Sequence, residues 1–366
     1  IGALLCPSVS ATSTTTEVDV PATGERFVWR EESPNHAAPA ERALEVGRAR
    51  ENVHHRRRWY ATCLVRDRTT RHAALPARDP PARVPAMLLR DPVHGLVAFE
   101  GRAERVIDAL LATREVQRLR RVKQLGLTSL VFPGAEHTRF AHALGAAHVM
   151  LRLQARIVAA QHDLPKDVQL DDAAADEALA AALLHDLGHG PFSHLYEEVS
   201  PHPRHHEAWT EDVLLDSGTD VNRALEGLSA GMAERVAGML KGRHRLGYLS
   251  RAISGTIDVD RADYLLRDSY MTGVRYGLYD LDWVLRALAF GKVGSEWVLA
   301  VEGRKGLPPI EGFFLARQHM YAQVYHHKAT RAAEGLIRGV FVRLGELVRE
   351  GRPPEGTPRA LLHAAK

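Results

Sequence analysis

The sequence predicts a mostly α-helical domain with minor β pieces, and three observations carry that expectation. From Met87 onward, apolar residues return every three or four positions through one segment after another, the period of a helix with a single buried face. Gly and Pro fall between these segments, as at Phe132-Pro133-Gly134 and from Gly188 to Pro191, where they act as stops. The stretch Asp176 to Leu187 is so rich in Ala and Leu that it reads as a helix buried on every side.

Taken in order, Leu88 to Val97 reads as a short extended piece with a tight turn around Pro92-Val93-His94-Gly95. Helices are expected over about 103–111 and 113–123, then over Thr138 to Gln161, where Ala, Leu, Met and Val recur at helical spacing. The buried helix follows and ends at Gly188, with Gly190 and Pro191 just beyond. Further helices fit about 205–216, 221–240, 246–254, 258–269 and 280–289. Val293 to Val301 with a Gly303 to Gly306 turn suggests a small hairpin, and one last long helix is expected over about 311–348.

Composition sets the outer limits. With 366 residues, 45% hydrophobic and 25% charged, the chain can bury a substantial core, which excludes disorder throughout. No window approaches the roughly 18 apolar residues of a membrane span. Lys and Arg number 48 against 45 acids, and a net charge of +3 is too small to imply a nucleic-acid partner. The excess lies in residues 1–86, which hold 13 Arg, no Lys and 10 acids, together with both cysteines, Cys6 and Cys63. No disulfide or cysteine metal site is therefore expected after Met87, in keeping with a reducing cytoplasm. Residues 1–86 show no sustained periodicity and read as a disordered or non-native leader. The apolar start Ile1 to Cys6 lacks the basic leader and length of a secretory signal. Residues 87–350 are then the functional domain, and 351–366 a linker or the start of a truncated C-terminal part.

Histidine is concentrated where chemistry is expected, with ten between His137 and His206. His185-Asp186 stands where the apolar helix stops, and a carboxylate desolvated there is costly without a cation beside it. A divalent metal would supply that charge, and it needs three or four nitrogen and oxygen donors from separate elements. His142, one turn into the helix from Thr138, and Asp260, in Ile257-Asp258-Val259-Asp260-Arg261-Ala262-Asp263-Tyr264, complete the set.

The order H…HD…D resembles that of the HD-domain phosphohydrolases, and its flanks narrow the resemblance. Asp91-Pro92-Val93-His94-Gly95, Gln117-Arg118-Leu119-Arg120, Lys123-Gln124-Leu125-Gly126, Phe132-Pro133-Gly134-Ala135, Arg139-Phe140-Ala141-His142, His185 through His194 and Ile257 through Tyr264 are similar to segments of the deoxynucleoside triphosphate triphosphohydrolases. The resemblance runs from about Leu88 to Thr330. It implies the helical HD fold. It also implies one divalent ion (Mn, Fe, Mg, Zn or Co) on His142, His185, Asp186 and Asp260, and hydrolysis of a deoxynucleoside triphosphate to deoxynucleoside and inorganic triphosphate.

By the same resemblance His194 is a general acid with Glu197 orienting it, and His189 and His206 lie close to the α-phosphate. Arg139, Arg261 and Arg317 would meet phosphate oxygens. Gln124 and Leu125 would meet the sugar, with Tyr264 against C2′, Asp268 on the 3′-hydroxyl and Tyr325 beside them. Two departures stand out. His326 replaces a glutamine, and Ala112 replaces the guanine-reading Asp of an activator site to which Gln117 and Arg120 correspond. A homo-oligomer in the cytoplasm is expected. The other readings are an HD-domain phosphohydrolase of another nucleotide phosphoester, or a nucleotide sensor without catalysis.

Overall fold

The computed structural model describes residues 15–19, 26–30, 87–199 and 204–359. Strands β1 (Thr15–Asp19) and β2 (Arg26–Arg30) pair antiparallel; the expectation for the rest of residues 1–86 lies outside the described residues, as does that for 360–366. The strand pair belongs to a separate compact unit ending at Arg78.

In the unit from Asp79, β3 (Met87–Asp91) and β4 (Gly95–Phe99) form the expected hairpin, with Asp91 paired to Gly95. The Asp91 side chain closes the turn by accepting from the backbone N–H groups of Val93 and His94, both at 2.9 Å. Helices α1 (Arg102–Leu111) and α2 (Arg114–Arg118) follow, then α3 (Arg139–Ala160) and α4 (Asp172–Leu184), which form the centre of the core. The α3 N-terminus is capped by Thr138 and that of α4 by Asp171, whose carboxylate accepts from Ala174 N–H at 2.9 Å. Ala174, Ala175, Ala178, Ala180, Ala181 and Ala182 are all buried, so neighbouring helices approach α4 closely, as its composition predicts.

The remaining helices are α5 (His194–Val199), α6 (His206–Leu215), α7 (Asp220–Leu228), α8 (Met232–Leu240), α9 (Gly247–Ile253), α10 (Val259–Thr272) and α11 (Leu281–Arg286). Helix α10 packs directly on α3. Gly145 permits that contact, because a Cβ there would overlap the side chains of Asp263 and Arg267. Gly145→Ala is therefore expected to destabilise the domain by about 1–3 kcal/mol. Thermal denaturation reads this as a fall of roughly 2–4 °C per kcal/mol. An unchanged midpoint would show that the two helices separate without cost.

Four expectations are corrected. The helix read over 221–240 is two helices, broken at Gly231, which adopts a left-handed φ of 72°. The Glu226 carboxylate secures the break by accepting from the N–H of Gly231 (2.7 Å) and Ala233 (3.1 Å). The hairpin is formed by β5 (Leu288–Val293) and β6 (Glu296–Val301), so Val293 lies beside the turn at Gly294, and Gly303 to Gly306 is helical. The long final helix is also two, α12 (Gly303–Met320) and α13 (Lys328–Arg349), separated by a π-helical turn over Tyr321–Tyr325. Pro308 and Pro309 lie inside α12, past its first turn, so the hydrogen bonds their N–H groups would make to the preceding turn are absent. The short helix α5 was not expected after Gly190-Pro191.

Candidate active site

The chain brings the four expected metal donors together from three helices. His142 sits on α3, His185-Asp186 at the end of α4, and Asp260 in the first turn of α10. His142 Nε2 lies 3.2 Å from His185 Nε2, 3.0 Å from Asp260 Oδ1 and 3.8 Å from Asp186 Oδ2. His185 Nε2 lies 3.4 Å from Asp260 Oδ1 and 3.5 Å from Asp186 Oδ1. Two imidazole nitrogens and two carboxylates at this spacing suit a single divalent ion, since donors about 2.1 Å from one centre stand roughly 3–3.4 Å apart. His142 is fully buried and Asp186 nearly so, where two histidines and two acids without an ion must share protons.

That sharing is visible in the proton affinities. Burial opposes protonation of His142, but Asp260 and Asp263 outweigh it and push its pKa up to about 10. Burial likewise opposes protonation of His185, but Asp186 and Asp260 outweigh it and raise its pKa. Burial would raise Asp186, yet Arg139, His185 and His189 hold it well below the usual carboxylate range. The His142 pKa is raised above its unfolded value of about 6.5. Its stabilisation is thus fully present below about 6.5 and is lost as pH rises towards 10. Metal-free protein is expected to lose thermal stability steadily between those limits; a flat profile would contradict the buried ion pairs.

Behind the donors lies a set of residues not singled out from the sequence. Asp263, fully buried, accepts from His142 Nδ1 (2.8 Å), His94 Nε2 (2.7 Å), and Arg267 Nε and Nη2 (both 2.8 Å). Arg267 reaches on to Asp91 at 2.8 Å. The Asp263 bond to Nδ1 turns the His142 Nε2 lone pair towards the donor cluster. The i, i+4 pair Asp263/Arg267 on an otherwise apolar helix face was the available sequence signal.

In front of the donors opens a cavity of about 480 Å³. Of the residues expected to meet substrate, Gln124, Leu125, Arg139, Arg261, Tyr264, Asp268 and Tyr325 line it, with Asp186, His189, His194, His206 and Asp260. Arg317 is not part of its wall; its guanidinium lies 5.2 Å over the ring of Tyr321, which is. Arg139 is held by Asp186 and by Ser193 Oγ at 2.9 Å, and Arg261 by Asp258 and the Gly255 carbonyl. Asp268 already accepts from Tyr325 Oη and pairs with His137 Nε2, both at 2.7 Å. The π turn carries Tyr321, Tyr325 and His326 to the same wall. Phe192 and Ser193 border it with φ of 63° and 55°, a left-handed pair of the kind that persists only where surrounding contacts enforce it. Gln117 and Arg120 lie elsewhere, bonded to each other at 2.8 Å, with Arg120 stacked on Phe140.

A second cluster centres on Glu197. Its carboxylate meets Nδ1 of His206 (2.9 Å), His205 (3.1 Å), His194 (3.2 Å) and His189 (3.6 Å). His189 stacks on His206 at 3.7 Å and places Nε2 3.4 Å from Asp186, linking the two clusters. Burial drives the His189 pKa down to about 3 and lowers that of His206, so both rings are neutral near pH 7. Gly188 is required here, because a Cβ would overlap the His206 carbonyl and push α6 away.

The family described as HD domain matches residues 139–268. The uncharacterized protein YwfO of Bacillus subtilis is 39% identical over 264 residues, 72% of this chain and 57% of its own. A deoxynucleoside triphosphate triphosphohydrolase SAMHD1 homolog of Dictyostelium discoideum is 28% identical over 281 residues, 74% of this chain and 52% of its own. The chain thus spans about half the length of these relatives. Among solved structures, a phosphohydrolase from Bacteroides thetaiotaomicron superposes with a TM-score of 0.64 at 31% identity, covering 76% of this chain and 64% of that one. A hypothetical protein from Aquifex aeolicus gives 0.58 at 34% identity, covering 76% and 69%.

Proposed function

Because the chain belongs to the HD-domain phosphohydrolases, we propose that it hydrolyses deoxynucleoside triphosphates to deoxynucleoside and inorganic triphosphate, with one divalent ion on His142, His185, Asp186 and Asp260. The observation that supports this reading most is that two of those donors, Asp186 and Asp260, line a cavity whose wall also offers Arg139, Arg261 and a cluster of Tyr264, Tyr321 and Tyr325. A bound divalent ion supplies a water of lowered pKa and withdraws charge from a phosphoryl oxygen.

The chain's own residues supply the rest. Arg139 and Arg261 present guanidinium groups to phosphate oxygens, and their carboxylate partners Asp186 and Asp258 hold them in place. His194 directs Nδ1 to Glu197 at 3.2 Å, which leaves Nε2 to give a proton to the 5′ oxygen as the P–O5′ bond breaks. His189 and His206, neutral and stacked, border the α-phosphate without bringing positive charge, and His206 spends its single N–H on Glu197. Gln124, whose buried Oε1 has no partner, is free to accept from the sugar hydroxyl, and Leu125 packs beside it. Tyr264, close to Tyr325, crowds C2′ and disfavours a ribose. Asp268 accepts from the 3′-hydroxyl in exchange for one of its present donors.

The test is product analysis with each dNTP and rNTP in the presence of Mn²⁺ or Mg²⁺. The expected result is deoxynucleoside plus intact triphosphate, with ribonucleotides turned over far more slowly. Orthophosphate with a nucleoside diphosphate would mean attack at the γ-phosphate and would overturn the reading; ribonucleotide turnover at equal rate would favour another nucleotide phosphoester.

A further inference from the structure

Next to the proposed substrate cavity, and sharing Glu207 and Ser254 with it, lies a second cavity of about 630 Å³ whose other walls the proposed reaction does not use. It is walled by the end of α8, the following loop, α9 and the β5–β6 turn. A chamber of about 100 Å³ shares Glu207, Leu240, Lys241 and Ser254 with it, and also touches His185, Asp186 and Asp260.

Three cations face this cavity from separate segments: Lys241, Arg245 and Arg251. Each is matched by one carboxylate near the surface: Glu211 at 3.1 Å, Asp171 at 2.5 Å and Glu296 at 2.5 Å. Exposed pairs of this kind contribute little, and their cations exchange a carboxylate for a phosphate oxygen readily. His244 is spent on buried Glu177 at 3.0 Å. Ser250 supplies a fixed polar group: it is 5% exposed, lines the cavity, and its Oγ has no hydrogen-bond partner. Trp297 provides an aromatic wall near these groups.

We propose that this cavity binds a polyphosphate anion, either free or as the tail of a nucleotide, and that its occupancy is transmitted to the metal donors. The route is short. Ser250 and Arg251 sit on α9, and the Arg251 carbonyl presses so closely on Gly255 that a Cβ there would overlap it. Gly255 N–H donates to Asp258 Oδ2 at 2.9 Å, and Asp258 caps α10 through Arg261 N–H at 2.8 Å. The first turn of α10 carries Asp260 and Arg261, so a ligand that shifts α9 moves one metal donor and one phosphate-binding arginine together.

The site is tested by calorimetric titration of the full, metal-free chain with inorganic tripolyphosphate, which requires no turnover; because triphosphate is also the proposed product, any binding in the front cavity is identified separately as the part that Arg261→Ala weakens. Binding is expected, and the double variant Arg245→Glu/Arg251→Glu, changed at half-exposed positions, is expected to weaken it by about 100-fold or more. Arg261→Ala, in the front cavity, is expected to leave it nearly unchanged. Arg251→Gln alone, which keeps the side chain's bulk, is expected to cost about tenfold. Titration with dATP separates the two sources. Equal affinity assigns the site to the anion alone, and tighter binding that Trp297→Ala abolishes assigns it to a nucleotide. Hydrogen exchange across residues 254–262 is expected to slow on binding in the parent chain and not in the double variant. Absence of binding, or binding lost in Arg261→Ala and retained in the double variant, would overturn the site; unchanged exchange would overturn its coupling to the metal donors.

Discussion

Asp260→Ala is expected to lower hydrolysis by about 10³-fold or more while leaving the helical fold intact. Of the four proposed donors, Asp260 is the one on α10, and its Oδ1 lies within hydrogen-bonding reach of both His142 and His185. Without it, two imidazoles and Asp186 remain, and Asp186 is already compensated by Arg139. A site with so little net negative charge holds a divalent ion poorly. The several kcal/mol that a bound ion contributes to transition-state stabilisation is then lost, and at 1.36 kcal/mol per tenfold this corresponds to about three orders of magnitude. Metal content by elemental analysis and product formation by chromatography check the two halves separately. A variant that keeps a full equivalent of metal and turnover within tenfold would remove Asp260 from the donor set. Since Asp260 is partly exposed, the circular dichroism spectrum should stay close to that of the parent, while the metal-free melting temperature should lose the share of the His142 stabilisation that Asp260 supplies.

Asp263→Ala is expected to have the opposite profile, with its main cost in folding. The Asp263 carboxylate is fully buried and neutralises Arg267, itself only 1% exposed, while also accepting from His94 and His142. Burial would raise its pKa, but Arg267 and the two histidines hold it well below the usual range, so it is charged at every working pH. Removing one member of a buried ion pair leaves the other uncompensated, which costs about 3–5 kcal/mol. Asp91 recovers part of that through Arg267 Nη1. In the fraction that folds, His142 loses the bond that orients its ring, and metal affinity is expected to fall about 10–100-fold. Urea denaturation and metal titration measure the two effects. A loss below about 1 kcal/mol would mean that water or Asp91 takes over the role of Asp263. Asp263→Asn retains the acceptor for His142 but not the charge, so it should keep more of the metal affinity than of the stability.

The helical class and most segment positions were legible because they depend on local periodicity and stop signals. The stretch Asp176 to Leu187 reads as a buried helix from its residues alone, and the structure buries it within α4 and the turn that follows. Boundaries failed where a distant or unusual contact decides them. The helix over 221–240 breaks because Glu226 can cap a new helix across Gly231, and the last helix divides because a π turn brings Tyr321 and Tyr325 towards the cavity. Neither event disturbs the apolar period. The hairpin was read out of register because both Gly294 and Gly303 are plausible turn residues, and only strand pairing from Leu288 to Val301 selects the first.

Within the site, the H…HD…D order marks the histidines and acids able to act, each recognisable from its immediate neighbours. Tertiary structure decided which of these meet and what holds them. The Asp263 network unites residues 91, 94, 142 and 267, and the Glu197 cluster draws on α5, the following loop and α6; no local pattern ties such positions together. Arg317 shows the limit from the other side, since its place on α12 stacks it on Tyr321 and leaves it outside the cavity wall. The physical reason is that propensity and capping act over a few residues, whereas compensation of a buried charge is settled by whichever partner the packed helices bring within about 3 Å.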